Sequence, residues 1–208
     1  MLDKILLTGG TGLLGTEIQK YLICDAPSHE MMDITDANSM ITYDPDIVIH
    51  CAAYTDVTKA EKEKEKCFKI NVEGTYNLAT MFKDKYFVYI SSEYAVNPVN
   101  YYSWTKKWGE EIVMKNCPNH LIVRTLFKAN PFPYPFAFFD QYTNGDYVDV
   151  IAPMIAKEVM QKTRGTYPFG TGKKSMFQLA RRTRPDIAAI SVDDIKDVVL
   201  PKEASYYG

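Results

Sequence analysis

Tyr102 and Lys106 have the residue types and the spacing of a proton-transfer pair. Of the 15 tyrosines in the chain, Tyr102 alone is followed by a lysine four residues later. On a helix, residues four apart lie on the same face, so the phenol and the ammonium can contact one bound molecule together. A tyrosine titrates at about pH 10, and a neighbouring ammonium favours the phenolate. We therefore expect Lys106 to lower the pKa of Tyr102.

A pair of serines, Ser91 and Ser92, ends the apolar segment YFVYISS ten residues before Tyr102. Ligands of open α/β sheets bind at the carboxyl ends of the strands. A hydroxyl there can donate to a carbonyl oxygen on which charge develops. A serine at a strand end is more often a capping residue, but its place ahead of Tyr102 favours a catalytic role. We expect Ser92, rather than Ser91, to complete the set.

The segment TGGTGLLG places Gly9, Gly12 and Gly15 in a G-x-x-G-x-x-G spacing between a strand-like and a helix-like run. Glycines allow a tight turn and a close approach of a pyrophosphate, which the exposed N–H groups and the helix start would bind. The string alone is also compatible with a plain tight turn, and its position at the first strand-to-helix junction favours dinucleotide binding. The later segment GTGKKS lacks the P-loop spacing, which disfavours ATP or GTP hydrolysis.

Short β-branched runs alternate with helical runs as far as about residue 124, which predicts the α/β fold class with a Rossmann-type doubly wound parallel sheet. The predicted strands are 4–8, 46–52, 86–91 and 120–124, and the predicted helices start after Gly12 and cover 35–42, 58–82 and 102–115. We expect residues 1–125 to form the dinucleotide-binding domain.

The character changes after residue 125. The run NPFPYPFAFFDQYTNGDY is rich in proline and aromatic residues and predicts a loop, here 131–142. A helix over 152–162, a strand in TYPFG, a helix from about Ser175 and a last strand in DIAAIS follow. We interpret residues 126–208 as a small, abbreviated C-terminal substrate lobe that is interleaved with the sheet.

Further motifs extend the pattern, namely PDIVIHCAAYTDVTKAE, FKINVEGTYNLA, ISSEYAV and NPVNYYSWTKKWGEE. With the glycine turn, this set resembles the extended branch of the short-chain dehydrogenase/reductase superfamily. Within that branch it is similar to the dTDP-4-dehydrorhamnose reductase family. The resemblance covers about residues 4–124 well and continues more thinly to the end of the chain.

The resemblance implies a catalytic trio of Ser92, Tyr102 and Lys106 and a bound NADPH or NADH. The implied cofactor-binding residues are Gly9, Thr11, Gly12, Leu13, Leu14, Gly15, Ser28, His29, Asp33, Ile34, Ala52, Ala53, Tyr54, Asn71, Tyr102 and Lys106. By residue type alone, Asp33 is explained as well by a turn or a helix cap. Asn71 is explained slightly better as a buried amide that bridges helices.

The choice between the two cofactors depends on the end of the second strand. NAD-binding proteins usually have an acidic residue there that binds the ribose, and this chain has no clear equivalent. Asp25 is close enough in sequence to be a candidate for that role. Ser28 and His29 lie near that place, and a hydroxyl beside an imidazole suits a 2′-phosphate somewhat better than a carboxylate does. We therefore favour NADPH.

The function implied by the resemblance is reduction of a nucleotide-linked 4-keto-6-deoxysugar. The alternatives are an epimerase or dehydratase of the same branch and a non-catalytic regulatory protein that binds the cofactor or the sugar nucleotide. A dehydratase usually has two acidic residues after the serine, where this chain has only Glu93, and a pure binding protein has no use for the full trio.

The carboxyl lobe and the segment before Tyr102 are shorter than in the family, which leaves the substrate site incomplete. The loop 131–142 is one candidate replacement, with Arg124, Lys128 and nearby aromatic rings facing a diphosphate or a base. The other interpretation of this loop is a hydrophobic lid or a dimer surface.

Composition limits the partners. The chain has 208 residues and a net charge of −2, so no basic surplus indicates nucleic acid or anionic lipid. It shows neither a secretory leader nor a membrane-spanning run, and we expect a cytoplasmic protein. The four cysteines and three histidines lack metal-ligand spacing, which predicts reduced thiols and no metal site. A nucleotide sugar and a second copy of the chain, in a homodimer, are the expected partners.

Overall fold

A parallel sheet forms the centre of the protein, in a computed structural model that describes residues 3–204. The strands are β1 (Ile5–Thr8), β2 (Ile47–His50), β3 (Tyr86–Ser92), β4 (His120–Thr125), β5 (Phe127–Lys128), β6 (Phe136–Phe138), β7 (Tyr142–Thr143), β8 (Asp146–Tyr147), β9 (Gly165–Pro168), β10 (Lys174–Ser175) and β11 (Ala188–Ile190). Five of them pair in the order β1-β2-β3-β4-β9, all parallel. Every residue of β1, β2 and β3 is buried, which is typical of strands covered on both faces.

Helices cover both faces of this sheet, so it is doubly wound as the sequence predicts. They are α1 (Leu13–Ile18), α2 (Val57–Ala60), α3 (Lys64–Phe68), α4 (Gly74–Met81), α5 (Tyr101–Asn116), α6 (Val148–Met160) and α7 (Met176–Ala180). On one face, α1 and α6 bury residues such as Ile18 and Ile151 in the first apolar core. On the other face, α4 and α5 bury residues such as Leu78 and Val113 in the second core.

The chain reverses its direction of travel across the sheet at β1. Beyond the outer edge of β1, Leu6 pairs with Asp25 in a single parallel bridge. The chain then returns to form β2 on the other side of β1, where Thr8 is the register partner of His50. Crevices at such switch points, at the carboxyl ends of the strands, are where open α/β sheets bind ligands.

The predicted helix over 58–82 is wrong as a single element. The structure divides it into α2, α3, a π-helical turn (Lys69–Glu73) and α4. The π turn contains Asn71. The Asn71 side chain points inward and forms hydrogen bonds with the backbone of Tyr54 and the hydroxyl of Thr105. Such turns are often associated with functional sites.

The predicted helix over 35–42 is likewise only a short 3-10 turn, Ala37–Met40. It begins at Asp36, whose side chain accepts the N–H of Asn38 at 3.0 Å. Met40 at its end is fully buried in the second core. The turn therefore serves to bring one apolar side chain to the sheet, which does not require a regular helix.

The chain after residue 125 contributes to the sheet as well as to a lobe of its own. Strand β9 pairs with β4, and α6 packs with α1 on the first core. A third, smaller core contains Phe132, Tyr147 and Leu179. The stretch 131–142 is not a plain loop, because β6 pairs in parallel with β11.

No helix within residues 3–204 is long and apolar enough to cross a membrane. All four cysteines carry free thiols, two of them buried. No group of three or more metal-ligating side chains occurs within the same range.

Candidate functional site

A cleft of about 960 Å³ lies along the carboxyl ends of β1, β2, β3 and β4. Most of the residues expected at the cofactor and catalytic sites line it: Gly9, Thr11, Gly12, Leu13, Leu14, Gly15, His29, Asp33, Ile34, Ala52, Ala53, Ser92, Tyr102 and Lys106. The fold thus brings segments that are up to about a hundred residues apart in sequence to one surface. Ser28, Tyr54 and Asn71 are not among its lining residues.

The glycine turn is so tightly folded that side chains are excluded from it. Gly9 has a φ of +69°, and a Cβ there would lie 2.6 Å from the backbone nitrogen of Ala52. A Cβ on Gly15 would lie 2.2 Å from the carbonyl oxygen of Gly9. The Gly12 N–H donates to that same oxygen at 3.0 Å. The turn therefore presents bare backbone to the cleft, which is what close approach of a pyrophosphate requires.

Ser92 lies at the last position of β3, where its register partner is Thr125 of β4. Its hydroxyl accepts the N–H of Tyr94 at 3.1 Å and lies close enough to Tyr102 to affect the pKa of that phenol. Tyr102 lies in the first turn of α5, which begins at Asn100 with a capping box. The two candidate catalytic hydroxyls are therefore adjacent, as the sequence analysis expects.

Lys106 lies one turn further along α5 and is almost fully buried. Its ammonium donates to the carbonyl oxygen of Ile90 at 2.8 Å and lies 4.3 Å from the ring centre of Tyr89. Burial lowers the pKa of Lys106 to about 8. The charge of Glu110 opposes this lowering, and the Ile90 carbonyl and the Tyr89 ring both interact favourably with the ammonium.

The expectation that Lys106 lowers the pKa of Tyr102 is wrong for this structure. Burial raises the pKa of Tyr102 to about 12, and the nearby Ser92 hydroxyl offsets part of that rise. The ammonium is held by Ile90, and no effect of Lys106 on the phenol is resolved. Tyr102 is therefore a protonated phenol near neutral pH, which is the form that can donate a proton.

Asn71 is a buried bridge between elements that frame the cleft. Its amide accepts the N–H of Tyr54 at 2.7 Å and donates to the carbonyl oxygen of Tyr54 at 3.1 Å. It also donates to the hydroxyl of Thr105 at 2.9 Å. Asn71 thereby connects the segment after β2 to α5, next to Tyr102 and Lys106.

At the outer end of the cleft, Asp33 and Ile34 line the wall together with His29. Asp33 accepts the N–H of Thr35 at 2.8 Å, and the His29 ring lies 3.9 Å from the Asp33 carboxylate. Ser28 lies in the preceding turn, where its carbonyl accepts the N–H groups of residues 31 and 32.

Arg124 does not face the cleft, which contradicts the expectation that it contacts a diphosphate. Its guanidinium forms a bidentate ion pair with the buried Glu110, at 2.9 and 2.7 Å. The Ser91 hydroxyl donates to the same carboxylate at 2.6 Å. The Ser91 hydroxyl and the Arg124 guanidinium are thus both bound to Glu110, although Ser91 lines the cleft as Ser92 and Lys128 do.

The structure adds cleft residues that the sequence analysis did not single out. Lys69, Tyr94 and Tyr134 belong to this group. Tyr94 stands in the quoted motif ISSEYAV, in a 3-10 turn (Glu93–Ala95) that follows β3, and its place in the cleft could not be read from strand alternation. Lys69 lies in the motif FKINVEGTYNLA, of which only Asn71 was singled out.

Glu93 connects the turn after β3 to the chain beyond residue 125. It is almost fully buried, and its carboxylate accepts the Thr143 hydroxyl at 2.5 Å and the Asn144 N–H at 3.1 Å. Glu93 is not among the cleft-lining residues. Burial raises the pKa of Glu93 to about 7, and these hydrogen bonds oppose the rise.

The raised pKa predicts a pH dependence of stability. Between about pH 4.5 and 7 the folded protein holds a proton on Glu93 that the unfolded chain releases, so the free energy of unfolding falls as pH rises. Relative to a Glu93→Gln variant, the parent should lose about 2–3 kcal/mol between roughly pH 5 and 8. Urea unfolding at a series of pH values measures this difference.

The matched control is Glu111→Gln, because Glu111 is exposed on α5. Its stability should follow the parent protein at every pH. Parallel pH profiles for the parent and Glu93→Gln would show that Glu93 is ionised throughout, contrary to this prediction.

Comparison with known proteins places this cleft in context. A family model described as the RmlD substrate binding domain matches residues 3–153. dTDP-4-dehydrorhamnose reductase of Mycolicibacterium smegmatis is 30% identical over 178 residues, which cover 74% of this chain and 50% of that protein. The Salmonella typhimurium protein of the same name is 32% identical over 150 residues, or 59% and 50% of the two chains. The chain spans about half the length of these curated relatives.

A solved structure shows the same architecture. The crystal structure of dTDP-4-dehydrorhamnose reductase from Bacillus anthracis, in complex with NADP, aligns with a TM-score of 0.88 and 25% identity. The alignment covers 100% of this chain and 91% of that one.

The segment matched by the family model contains the glycine turn, the strand-end serine and both members of the tyrosine–lysine pair. It also includes β1 to β4, whose carboxyl ends form the cleft. The chain therefore belongs to the RmlD substrate-binding domain family.

Proposed function

We propose that the protein is an NAD(P)H-dependent oxidoreductase that reduces a nucleotide-linked 4-keto-6-deoxysugar. The observation that carries the proposal is that Ser92, Tyr102 and Lys106 share one cleft with the glycine turn Gly9–Gly15. Support also comes from the names of the relatives and from the NADP bound to the Bacillus anthracis protein.

The residues present fit a dinucleotide cofactor. The turn offers bare backbone where a Cβ on Gly9 or Gly15 would collide with neighbouring backbone atoms. Ala52 and Ala53 line the adjoining wall with small side chains. Gly9, Gly12 and Gly15 would thus hold the pyrophosphate, and Asp33 with Ile34 would lie beside the adenine.

When bound, NADPH or NADH supplies the hydride that reduces the ketone carbon. Tyr102 donates its phenolic proton to the ketone oxygen, which gives the alcohol, and recovers a proton from solvent. Ser92 donates a hydrogen bond to the same oxygen and so orients the carbonyl. Lys106 would contact the nicotinamide ribose once its ammonium turns from the Ile90 carbonyl towards the cleft.

We favour NADPH over NADH. His29 lines the outer end of the cleft and is exposed, which makes an imidazole available to a 2′-phosphate. Asp25, the competing carboxylate, is not among the residues that line the cleft. The NADP in the Bacillus anthracis structure supports the same choice.

The alternatives are less well supported. Dehydration needs a carboxyl group beside the serine, and Glu93 is instead bound to Thr143 and Asn144 outside the cleft. A purely regulatory protein would not need Ser92, Tyr102 and Lys106 together in one cleft. We further infer that the protein is cytoplasmic, because its cysteines carry free thiols. We also infer that it forms a homodimer, which analytical ultracentrifugation would test.

The function is tested by following cofactor absorbance with 4-keto-6-deoxysugars linked to dTDP, UDP or GDP. We expect one substrate to oxidise the cofactor in equal amount with the alcohol formed, with a higher kcat/KM for NADPH than for NADH. The matched control is the corresponding 4-hydroxy sugar nucleotide, which should oxidise none. A protein that binds NADPH but reduces no member of the panel would refute the reductase and favour the regulatory alternative.

A further inference from the structure

Lys128 is a cleft lysine to which the proposed chemistry gives no role. It lies at the end of β5, half-buried, and its ammonium is 5.0 Å from the ring centre of Tyr134. Within residues 3–204, no carboxylate lies within ion-pair distance of it, and it forms no hydrogen bond with the protein. Lys106, by comparison, is held by the Ile90 carbonyl.

An ammonium in this position is poorly compensated. Burial lowers the pKa of Lys128 to about 8, and no neighbouring charge opposes this effect. A cation removed from water without a partner is costly, so a bound anion would gain both the charge attraction and a charge-assisted hydrogen bond. The aromatic face of Tyr134 supplies only a weak substitute for an anion.

The position of Lys128 relative to the catalytic hydroxyls agrees with a substrate site. Ser92 is the register partner of Thr125, and Lys128 follows Thr125 by three residues. At about 3.3 Å per extended residue, its backbone lies at most about 10 Å beyond Thr125. A nucleotide-linked sugar whose carbonyl lies at Ser92 can therefore extend to Lys128 within the same cleft.

The segment opposite Lys128 is held in place by the carboxyl lobe. Phe132 is buried in the third core, and its N–H donates to the Thr183 hydroxyl at 3.0 Å. Arg184 donates to the carbonyl oxygen of Tyr134 at 2.6 Å. Pro133 and Tyr134 therefore present a preformed apolar wall to the cleft, with the Tyr134 side chain about half exposed.

We propose that Lys128 and Tyr134 form the subsite for the nucleoside diphosphate part of the substrate. The Lys128 ammonium binds the diphosphate, and the Tyr134 ring packs against the nucleoside. This subsite is separate from the glycine turn that would hold the pyrophosphate of the cofactor. The inference rests on the proposed function, because it assumes that the sugar is carried by a nucleotide.

The test is calorimetric titration of dTDP, UDP and GDP, and of the matching nucleoside, into the protein saturated with NADP⁺. Lys128→Met keeps the aliphatic stem and removes the charge, and Lys128→Arg keeps the charge. The matched control is Lys83→Met, since Lys83 is exposed and precedes β3 at the amino end of the strands, away from the cleft. Affinity for NADP⁺ is measured separately for each variant.

We expect Lys128→Met to weaken the tightest diphosphate about tenfold or more, which corresponds to one lost charge-assisted hydrogen bond. Binding of the nucleoside and of NADP⁺ should remain within about twofold, and Lys128→Arg should retain most of the diphosphate affinity. Tyr134→Ala should weaken the diphosphate and the nucleoside alike. Lys83→Met should resemble the parent protein.

Three results would overturn the subsite. They are diphosphate binding to Lys128→Met within threefold of the parent, an equal loss of NADP⁺ affinity, and the absence of diphosphate binding to the parent. The proposed function fails independently, when a parent protein that binds the diphosphate reduces no keto sugar. Conversely, if the parent protein reduces a keto sugar while Lys128→Met binds the diphosphate as tightly as the parent does, that result keeps the proposed function and rejects the subsite.

Discussion

Replacing Tyr102 by phenylalanine should lower kcat for the keto sugar by roughly 10²- to 10⁴-fold, the usual contribution of a positioned general acid. The ring and its packing stay, and only the proton donor is lost. Burial keeps the Tyr102 phenol protonated near neutral pH, so the parent protein has a proton to donate and the phenylalanine variant has none at that position. Affinity for NADPH should change by less than about threefold, because the phenol acts on the ketone oxygen.

The adjacent Tyr101→Phe is the matched control. The Tyr101 ring packs near Trp108 and under Lys64, and it does not line the cleft. Steady-state kinetics with the best substrate, together with fluorescence titration of NADPH, measures both variants. Tyr102→Phe with parental turnover would remove Tyr102 from the mechanism, whereas loss in both variants would indicate damage to α5.

Removing the carboxylate of Glu110 should cost the fold about 3–5 kcal/mol, the range for breaking a buried ion pair from one side. Glu110 is fully buried on α5 and accepts two hydrogen bonds from Arg124 and one from Ser91. Glu110→Ala leaves a half-buried guanidinium and a buried hydroxyl without their acceptor. For a chain of this length we expect the Tm to fall by about 10 °C.

A second pair of variants separates the ion pair from simple packing. Glu111→Ala, next to Glu110 but exposed, should shift the Tm by less than about 2 °C. The double variant Glu110→Met with Arg124→Met should regain part of the loss, since no Arg124 guanidinium is left without its carboxylate, while Ser91 and Lys107 still are. If Glu110→Ala unfolds at the parental temperature, the bidentate pair contributes nothing to stability. Calorimetric melting curves provide the measurement.

Local sequence patterns predicted the placement of Tyr102 beside Lys106 and the glycine turn, because both features depend on short intervals. The four-residue step from Tyr102 to Lys106 places both on one helix face wherever that helix lies. The turn from Gly9 to Gly15 needs glycine for the contacts of its own backbone, and the structure shows those contacts. Alternation of apolar runs was enough to predict the parallel sheet and the covering helices.

Errors occurred where the tertiary structure overrides the local pattern. The run 58–82 is helical in composition, but Asn71 is drawn to Tyr54 and Thr105, and a π turn interrupts the helix. The proline-rich stretch 131–142 gains strand β6 because β11, about 50 residues later, pairs with it. Neither partner can be recognised from the segment itself.

The order of residue types along the chain was sufficient to determine a dinucleotide-type crevice with a phenol, an amine and a hydroxyl at its edge. Tertiary structure alone decided how each charged group is used. Arg124 pairs with Glu110, Lys106 turns to the Ile90 carbonyl, and Lys128 remains open to the cleft. These outcomes depend on strand register and on which face of α5 packs against the sheet. Whether a charged side chain finds a partner depends on neighbours that are distant in sequence, and only folding brings those neighbours together.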